Sequence, residues 1–367
     1  MRRDATAVRQ RLATALKLAP LRWAGAELEV LPDSGLAHSH VRLVGYGALA
    51  RIPKQSQMGL APGANLAYQA ACFKRAEPSG HTPGLLDVLP PSAALPWGAL
   101  IVEEITGRAA ALPHDLTAIV TALARLHQLP LPAKAARAPL TSTADPMTDL
   151  LAEIEAQAAW LDAARIDAPA RRRIDAEIAR YRSRCAQSPR PPLSLIAFDA
   201  HPGNFMVRAD GRAVLVDLEK CRYSHASLDL AHATLYTSTT WNEAGSAALG
   251  VDEVAGAYAG WSRAMGPSAA AWHDWHLPLR RAMWLWSITW CAKWRVASTA
   301  ASAVTAAGED WSTQLSEPAL IAHVRGRVDH YLSTAVVERV LGEIDTLARA
   351  LSTPDDPDTA MIGQRRP

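Results

Sequence analysis

The chain begins with short runs in which apolar and polar residues alternate, a pattern typical of half-buried β-strands. These runs occupy residues 27–32, 40–46 and 48–53, with turn residues between them. A helical stretch at 64–76 follows, and a later apolar run at 99–105 indicates another strand. The pattern predicts a small antiparallel sheet in the N-terminal part of the chain, preceded by a leading helix.

From residue 115 the apolar positions recur at the spacing of an α-helix. Within 115–129, the residues on one face are Leu116, Ile119, Val120, Leu123 and Leu126. The same spacing predicts helices at about 147–163 and 168–186, and a mostly helical stretch from about 225 to 350. The chain therefore combines a β-rich N-terminal part with a larger helical part.

These elements predict an α+β fold with two lobes. Residues 1–105 form a small lobe with the leading helix and the sheet, and residues 106–350 form a larger, mainly helical lobe. Residues 351–367 are expected to be a flexible tail. The run 193–197 predicts a short buried strand that leads into a polar hairpin at 197–220. A cleft between the two lobes would have this hairpin at its mouth.

Composition and charge narrow the class of protein. Of 367 residues, 49% are hydrophobic and 20% are charged, which is an ordinary globular balance. The net charge of +2 gives no general reason to expect nucleic acid or an anionic membrane as a partner. The four cysteines form no CxxC or CxxH pair, which argues against a zinc knuckle and a disulfide framework. No apolar run suggests a signal peptide or a membrane span, so a soluble, cytoplasmic protein is expected, with no oligomeric state predicted.

The polar hairpin carries the candidate chemistry. Asp210-Gly211, between "FMVR" and "AVLV", favours a two-residue loop, because Gly, and to a lesser extent Asp, tolerates the positive φ of such turns. With that loop, Asn204 lies directly opposite Asp217, with Cβ atoms roughly 4.5 to 5.5 Å apart. Asp199 lies five residues before Asn204, across a Pro-Gly loop that turns its carboxylate back toward this pair.

An amide oxygen and a carboxylate at that separation can share Mg²⁺, which completes its octahedron with water and phosphate oxygens. The carboxylate of Asp199 can accept a proton from a hydroxyl that attacks a phosphoryl group. An Asp and an Asn separated by four residues, followed by a metal-holding Asp such as Asp217, is the spacing of kinase catalytic loops. The alternative is turn chemistry alone, since Asn and Asp commonly flank strands.

Several segments resemble the aminoglycoside phosphotransferase and choline kinase family, whose members share a bilobal protein-kinase-like fold. They are "ALIVEEITGR", "ALARLHQLP", "FDAHPGNFMV", "VLVDLEK" and "SLDLAHA". The resemblance implies that Asp199 is the catalytic base, that Asn204 and Asp217 bind Mg²⁺, and that Asp229 is a structural acid that steadies the loop. His201 is expected to be structural, stabilising the loop by a backbone hydrogen bond.

The resemblance also implies where the nucleotide binds. ATP is expected to lie against the main chain of the hinge at Glu103, Glu104 and Ile105. A turn containing Ser34 and Gly35 would cover its phosphates, although with one glycine it is also consistent with an ordinary β-turn.

Three positions depart from the family pattern. Ala197 stands where the family usually has a histidine two residues before the catalytic Asp, which questions the rigidity of the loop. Arg51 takes the place of the phosphate-contacting Lys, and its guanidinium can clamp phosphate oxygens as a fork. Its usual acidic partner on the following helix corresponds to Gln69, so hydrogen bonds would replace the salt bridge.

The acceptor is suggested by the tryptophans. Seven of the twelve lie between Trp261 and Trp294, and Trp286, Trp290 and Trp294 form a stripe at helical spacing. Such stripes usually pack a core. The alternative is that Trp286 and Trp290 form an aromatic wall that attracts an amine. The basic residues of this segment argue against a polycationic aminoglycoside: Arg280, Arg281, Lys293 and Arg295.

These observations predict an ATP- and Mg²⁺-dependent kinase that phosphorylates the hydroxyl of a small molecule, a choline-like or other amino-alcohol rather than an aminoglycoside. The alternative is a pseudokinase that binds nucleotide without phosphoryl transfer, motivated by Ala197 and Gln69. A metal-dependent hydrolase that uses the same acids is a third possibility.

Overall fold

A computed structural model describes residues 5–17, 21–32, 35–242, 244–299 and 317–352. The predicted α+β architecture is confirmed. The strands of the N-terminal part are β1 (Leu28–Val30), β2 (His38–Leu43), β3 (Ala48–Pro53), β4 (Leu85–Leu89) and β5 (Ala99–Glu103). They form one antiparallel sheet in the order β1-β2-β3-β5-β4, packed against α1 (Ala5–Leu16) and α2 (Pro62–Ala76).

Strand β4 lies between α2 and β5, in a segment for which the sequence predicted no element. It pairs with β5, and the register shifts between Leu85 and Asp87. The indole N–H of Trp23 donates to the carboxylate of Asp87 at 2.7 Å. A short edge strand with a bulge and a following Pro-Pro pair has little periodicity of its own, so tertiary pairing defines it.

Helices dominate the rest of the described chain. They are α3 (Leu116–His127), α4 (Pro146–Ala158), α5 (Ala168–Cys185), α6 (Ala226–Thr234), α7 (Tyr236–Thr239), α8 (Val251–Met265), α9 (His276–Ala297), α10 (Pro318–Tyr331) and α11 (Thr334–Ser352). All five apolar residues predicted for one face of α3 are buried. Each such side chain contributes about 1.5 to 3 kcal/mol when it is fully buried.

Short strands sit among these helices and form two small sheets. They are β6 (Arg108–Ala109), β7 (Ser194–Ile196), β8 (Phe205–Val207), β9 (Ala213–Leu215) and β10 (Arg222–Ser224). One sheet has the order β6-β8-β9, and the other pairs β7 with β10. Gly107 connects the large sheet to β6, and a Cβ there would collide with the main chain of Val207. The segment between β5 and β6 thus passes directly over the polar hairpin.

The division of the chain at residues 105 and 106 remains a prediction. The predicted tail begins at Leu351, which still belongs to α11, and its residues after Ser352 lie outside the described ranges. All four cysteines are free and buried. None of the helices within the described ranges combines the length and the apolar character needed to cross a lipid bilayer.

Buried histidines make the stability of the fold dependent on pH. Burial lowers the pKa of His225 to about 4 and the pKa of His276 to about 4. Because both values lie below the unfolded value of about 6.5, the stabilisation is complete above that pH and is lost as pH falls toward 4. We expect the free energy of unfolding to fall by about 1.4 kcal/mol per pH unit for each histidine in this window.

Urea unfolding between pH 7.5 and pH 4.5 measures this dependence. The variant His276→Gln keeps a partner for Ser227, which contacts Nδ1 of His276 at 2.9 Å, and should show a shallower slope than the wild type. His114→Gln is the matched control, because the His114 side chain is 80% exposed. Equal slopes for all three proteins would contradict the assignment.

Candidate active site

The candidate site is built on the loop that follows β7. This loop carries Asp199 and ends in a short 3-10 turn, Pro202–Asn204. Nδ2 of Asn204 donates to the main-chain oxygen of Asp199 at 2.9 Å. Nδ1 of His201 accepts from the N–H of Gly203 at 3.2 Å, which is a backbone hydrogen bond of the kind expected for this histidine. The loop therefore holds Asn204 beside Asp199.

A buried carboxylate, Asp229 on α6, holds the start of the loop. Its oxygens accept from the main-chain N–H groups of Ala197 at 2.7 Å and Phe198 at 2.8 Å, and from Nε2 of His127 at 3.1 Å. Nδ1 of His127 accepts from the indole N–H of Trp261 at 3.0 Å, so the neutral tautomer with its proton on Nε2 satisfies both contacts. This geometry supports the structural role proposed for Asp229.

The residue that follows Ala197 has a strained backbone. Phe198 has a φ of +62°, which costs a non-glycine residue on the order of 1 to 3 kcal/mol. Its ring lies 3.6 Å from the guanidinium of Arg222 and is edge-on to Trp286, with 5.0 Å between ring centres. Glu153 accepts from Arg222 at 2.8 Å and from Nε1 of Trp286 at 3.1 Å. This cluster, the Phe198 clamp, fixes the loop where Ala197 offers no histidine side chain.

The two tryptophans proposed for the acceptor differ in their placement. Trp286 is buried and Trp290 is half-buried. Trp290 packs edge-on against the half-buried Trp241, with 6.0 Å between ring centres. The next residue, Asn242, lies so close to Gly203 of the loop that a Cβ on that glycine would collide with its amide. Trp241 is thus a partner of Trp290 beside the loop, and the sequence missed it because it lies outside the helical stripe.

The predicted register of the hairpin is wrong by one residue. The N–H of Arg208 donates to the oxygen of Arg212 at 3.0 Å, which closes a three-residue loop whose last member, Gly211, has a φ of +81°. The carboxylate of Asp210 accepts from the N–H of Arg212 at 3.0 Å and stabilises this turn. As a result, the main chain of Asn204 pairs with Val216, not with Asp217.

Asp217 lies beyond the end of β9, so the pleat of the strand does not set its direction. Its Oδ1 accepts from Arg51 at 2.7 Å, and the same guanidinium donates to the main-chain oxygen of Val216 at 2.9 Å. Burial raises the pKa of Asp217, but the charges of Arg51 and His38 outweigh it and hold that pKa below its ordinary value. The charge of Asp199 acts against them, so the two carboxylates lie within electrostatic reach of one another.

The sequence assigned Gln69 to Arg51 as a partner, and this assignment is wrong. Gln69 on α2 is buried, its Oε1 lies 3.1 Å from Nε2 of His38, and its amide donates to Glu219 at 3.4 Å. A neutral amide cannot compensate a buried guanidinium, whereas the carboxylate of Asp217 can.

Lys220 is a residue of the site that the sequence did not single out. Its ammonium donates to Oδ2 of Asp199 at 3.0 Å. Burial raises the pKa of Asp199, but Lys220, followed by His201 and His232, holds that pKa well below its ordinary value. Asp199 is therefore ionised at neutral pH. The signal available in the sequence was the basic residue directly after "DLE".

Part of the main chain of the hinge segment, residues 103–105, already forms hydrogen bonds within the protein. The N–H of Glu103 donates to Gly84 at 2.8 Å, and the N–H of Glu104 donates to Gly47 at 2.9 Å. Ile105 is buried, and its N–H has no hydrogen-bond partner among the described residues. Of the three hinge residues predicted to contact a nucleotide, Ile105 thus offers the free donor.

The turn predicted to cover the phosphates is only partly described. Ser34 lies outside the described residues. The main-chain oxygen of Gly35 accepts from the ammonium of Lys54 at 3.3 Å, which brings a second cation to the part of the sheet that carries Arg51.

The donor set of the site fits a hard divalent cation. The amide nitrogen of Asn204 donates to the main-chain oxygen of Asp199, which leaves the amide oxygen as an acceptor. Carboxylate and amide oxygens are preferred Mg²⁺ ligands. Nε2 of His38 and one oxygen each of Asp217 and Glu219 also lie within 4.8 Å of one another, a grouping that the sequence did not predict. Nε–H of Arg51 is buried without a partner among the described residues, as a phosphate-binding guanidinium would be.

Comparisons with known proteins identify the family of the chain and its fold. The model of the phosphotransferase enzyme family APH matches residues 34–266. A choline/ethanolamine kinase family protein from Mesorhizobium loti is similar in structure, with 18% identity, 94% of this chain and 100% of that chain covered, and a TM-score of 0.57. Aminoglycoside 2'-phosphotransferase-IIIa, solved as a GDP complex, shares 14% identity over 89% of this chain and 99% of that chain, with a TM-score of 0.55.

Ethanolamine kinase from Plasmodium vivax is also similar, with 11% identity, 83% of this chain and 81% of that chain covered, and a TM-score of 0.54. A search of curated proteins gave no significant match. At these identities the solved structures establish a shared fold, whereas the family model covers more than half of the chain, including the loop, the hairpin and α6. The chain belongs to the phosphotransferase enzyme family.

Proposed function

We propose that this phosphotransferase transfers the γ-phosphoryl group of ATP to a hydroxyl of a small molecule, with Mg²⁺ as its cation. The observation that carries the proposal is the meeting of Asp199 and Asp217 between two cations, Lys220 and Arg51. Two carboxylates close to two cations can together bind a metal and the phosphate oxygens, and one carboxylate can accept a proton.

Asp199 is the proposed acceptor of the hydroxyl proton. Because its pKa is low, its main contribution is to orient the hydroxyl, and the proton moves to it late as the oxygen–phosphorus bond forms. The Phe198 clamp and Asp229 hold Asp199 in this position, so the loss of the usual histidine at Ala197 does not favour the pseudokinase alternative.

Asn204 and Asp217 would hold Mg²⁺ through their oxygens. When bound, the ion would neutralise charge on the β- and γ-phosphates. Arg51 would contact the phosphate oxygens and is already positioned by Asp217 and the sheet. The N–H of Ile105 is the proposed main-chain contact of the adenine at the hinge.

The cluster of His38, Asp217 and Glu219 is the kind of grouping that the hydrolase alternative requires. In this structure, however, Gln69 occupies the two members of the cluster other than Asp217: its Oε1 contacts His38 at 3.1 Å, and its amide donates to Glu219 at 3.4 Å. Cleavage of an ester without ATP would be the signature of the hydrolase.

For the acceptor we propose an amino-alcohol. The charge argument from α9 is weaker than the sequence suggests, because Arg281 pairs with Glu177 at 3.0 Å and Arg295 pairs with Asp329 at 2.8 Å. Arg280 is buried and donates to the C-terminal end of α6.

The half-buried faces of Trp290 and Trp241 therefore carry the acceptor proposal. Their rings can attract a single ammonium group at about 0.5 to 2 kcal/mol. A similar protein is a choline/ethanolamine kinase family member, which agrees with an acceptor of this size and charge.

A screen of acceptors tests the proposal. We expect release of ADP with Mg²⁺-ATP and a panel of amino-alcohols, at a rate at least about tenfold above that with aminoglycosides, if one cation–π contact decides the preference. The variant Trp290→Leu should raise KM for the amino-alcohol, whereas Trp160→Leu, at an exposed tryptophan of another surface, should not. Faster turnover of aminoglycosides would contradict the proposed acceptor class.

A further inference from the structure

The ion pair between Lys220 and Asp199 calls for a functional explanation. Nζ of Lys220 contacts Oδ2 of Asp199 at 3.0 Å, and only 13% of the lysine side chain is exposed. The ammonium also lies 5.8 Å from the centre of the Trp286 ring. Nδ1 of His232 is 3.9 Å from the other oxygen of Asp199. The carboxylate proposed as the proton acceptor is thus held on one side by a cation.

A permanent cation on Asp199 opposes its proposed role, because it lowers the affinity of the carboxylate for a proton. Burying an ammonium also costs free energy that a solvent-exposed lysine would not lose. If the site needed only a proton acceptor, Lys220 would make Asp199 less effective in that role. The ammonium therefore serves another group that is present during the reaction.

The geometry of phosphoryl transfer identifies the group that Lys220 contacts. A hydroxyl bound to Asp199 lies about 3 to 3.5 Å from the phosphorus that it attacks. The three outer oxygens of the transferring group then lie close to Nζ of Lys220, and an ammonium has three donors that can point to different acceptors.

We infer that Lys220 is a catalytic residue that binds the oxygens of the transferring phosphoryl group and releases Asp199 as it does so. The inference rests on the proposed function. The hydroxyl oxygen forms a bond to the γ-phosphorus, the bond between that phosphorus and the bridging oxygen of ADP breaks, and the hydroxyl proton passes to Asp199. Lys220 keeps its protons and stabilises the negative charge of the group in transfer.

Titration calorimetry with ATP and with ADP, each with Mg²⁺ and without acceptor, tests the contact. Because only ATP carries the transferring group, Lys220→Met should weaken ATP binding about tenfold or more and leave ADP binding within about twofold. Lys220→Arg should keep part of the ATP preference. Lys74→Met is the matched control, because Lys74 is exposed on α2, and it should bind both nucleotides as the wild type does.

A second measurement separates the two roles that Lys220 could have. If the lysine served only as a counter-ion of Asp199, Lys220→Met would not lower kcat further in an Asp199→Asn background. We expect it to lower the residual kcat there by a further factor of about ten.

Equal loss of ATP and ADP affinity, or no further loss in the double variant, would overturn the inference and leave the proposed function standing. If the wild-type protein binds neither nucleotide, the proposed function fails, and the inference falls with it. Thermal unfolding of each variant separates these outcomes from loss of the fold.

Discussion

Replacing Asp199 with Asn should lower kcat about 10²- to 10⁴-fold while nucleotide affinity is retained or increased. The amide keeps the size of the side chain, and the main-chain oxygen that accepts from Asn204 is unchanged, but the amide cannot accept the hydroxyl proton. It also weakens the contact of Lys220, which now donates to the carboxylate at 3.0 Å, so that the ammonium can turn to the phosphates more easily. The measurement is steady-state ADP release with the best acceptor of the screen, together with calorimetric binding of ATP.

Asp210→Asn is the matched control for this variant. Asp210 is an exposed aspartate at the tip of the hairpin, and an asparagine can keep its turn contact with the N–H of Arg212. We expect wild-type kcat and stability for it. If Asp199→Asn kept more than about a tenth of the wild-type kcat, a role for this residue in proton transfer would be untenable.

Removing the carboxylate of Asp229 should have the largest effect on stability. Asp229→Ala leaves two main-chain N–H groups and Nε2 of His127 without their acceptor in a fully buried position. Removing the shared acceptor of such buried hydrogen bonds lowers the free energy of unfolding by about 3 to 5 kcal/mol. Because these bonds also hold the strained backbone of Phe198, we expect kcat to fall beyond the fraction of protein that unfolds. Urea unfolding and kinetics under folding conditions measure the two effects.

The control is an exposed ion pair. Asp175 contacts Arg171 at 2.9 Å on the surface of α5, and half of its side chain is exposed. Asp175→Asn should change the free energy of unfolding by about 0 to 1 kcal/mol. The milder variant Asp229→Asn keeps one acceptor oxygen, and its free energy of unfolding should lie between those of Asp229→Ala and Asp175→Asn. Similar stabilities for the variants at Asp229 and Asp175 would show that the buried network does not hold the loop.

The parts of the fold that the sequence predicted have strong local signals. Helix α3 shows five buried positions on one face, and four of the five strands of the large sheet overlap the alternating or apolar runs of the sequence; the exception is β4. Asn204 also lies beside Asp199, because five residues of tight loop allow few alternatives; the contact is made to the main-chain oxygen of Asp199, and the direction of its carboxylate toward the metal pair stays a prediction.

The errors arise where a tertiary contact decides between local options. The Asp-Gly pair suits both a two-residue and a three-residue loop, and the carboxylate of Asp210 selects the longer one by binding the N–H of Arg212. The partner of Arg51 is Asp217, which is 166 positions away in the chain. Lys220 meets Asp199 only because β10 brings the chain back beside β7. Spacing in the sequence contains no information about these approaches.

The placement of aromatic residues shows the same limit. A helical stripe marks Trp286 and Trp290 as equivalent, yet one lies buried in the Phe198 clamp and the other is half-buried beside Trp241. The difference is set by their neighbours, because Trp286 contacts Phe198 of the loop and Glu153 of α4, whereas Trp290 packs against Trp241 after α7.

Phosphorus NMR of the reaction mixture tests the central claim most directly. Wild-type protein, Mg²⁺-ATP and an amino-alcohol acceptor should give ADP and a new phosphate monoester of the acceptor in equal amounts, and the Asp199→Asn variant should give neither at a comparable rate. Inorganic phosphate in place of the ester, or an ester formed equally by both proteins, would contradict the assignment of this loop as a site of phosphoryl transfer.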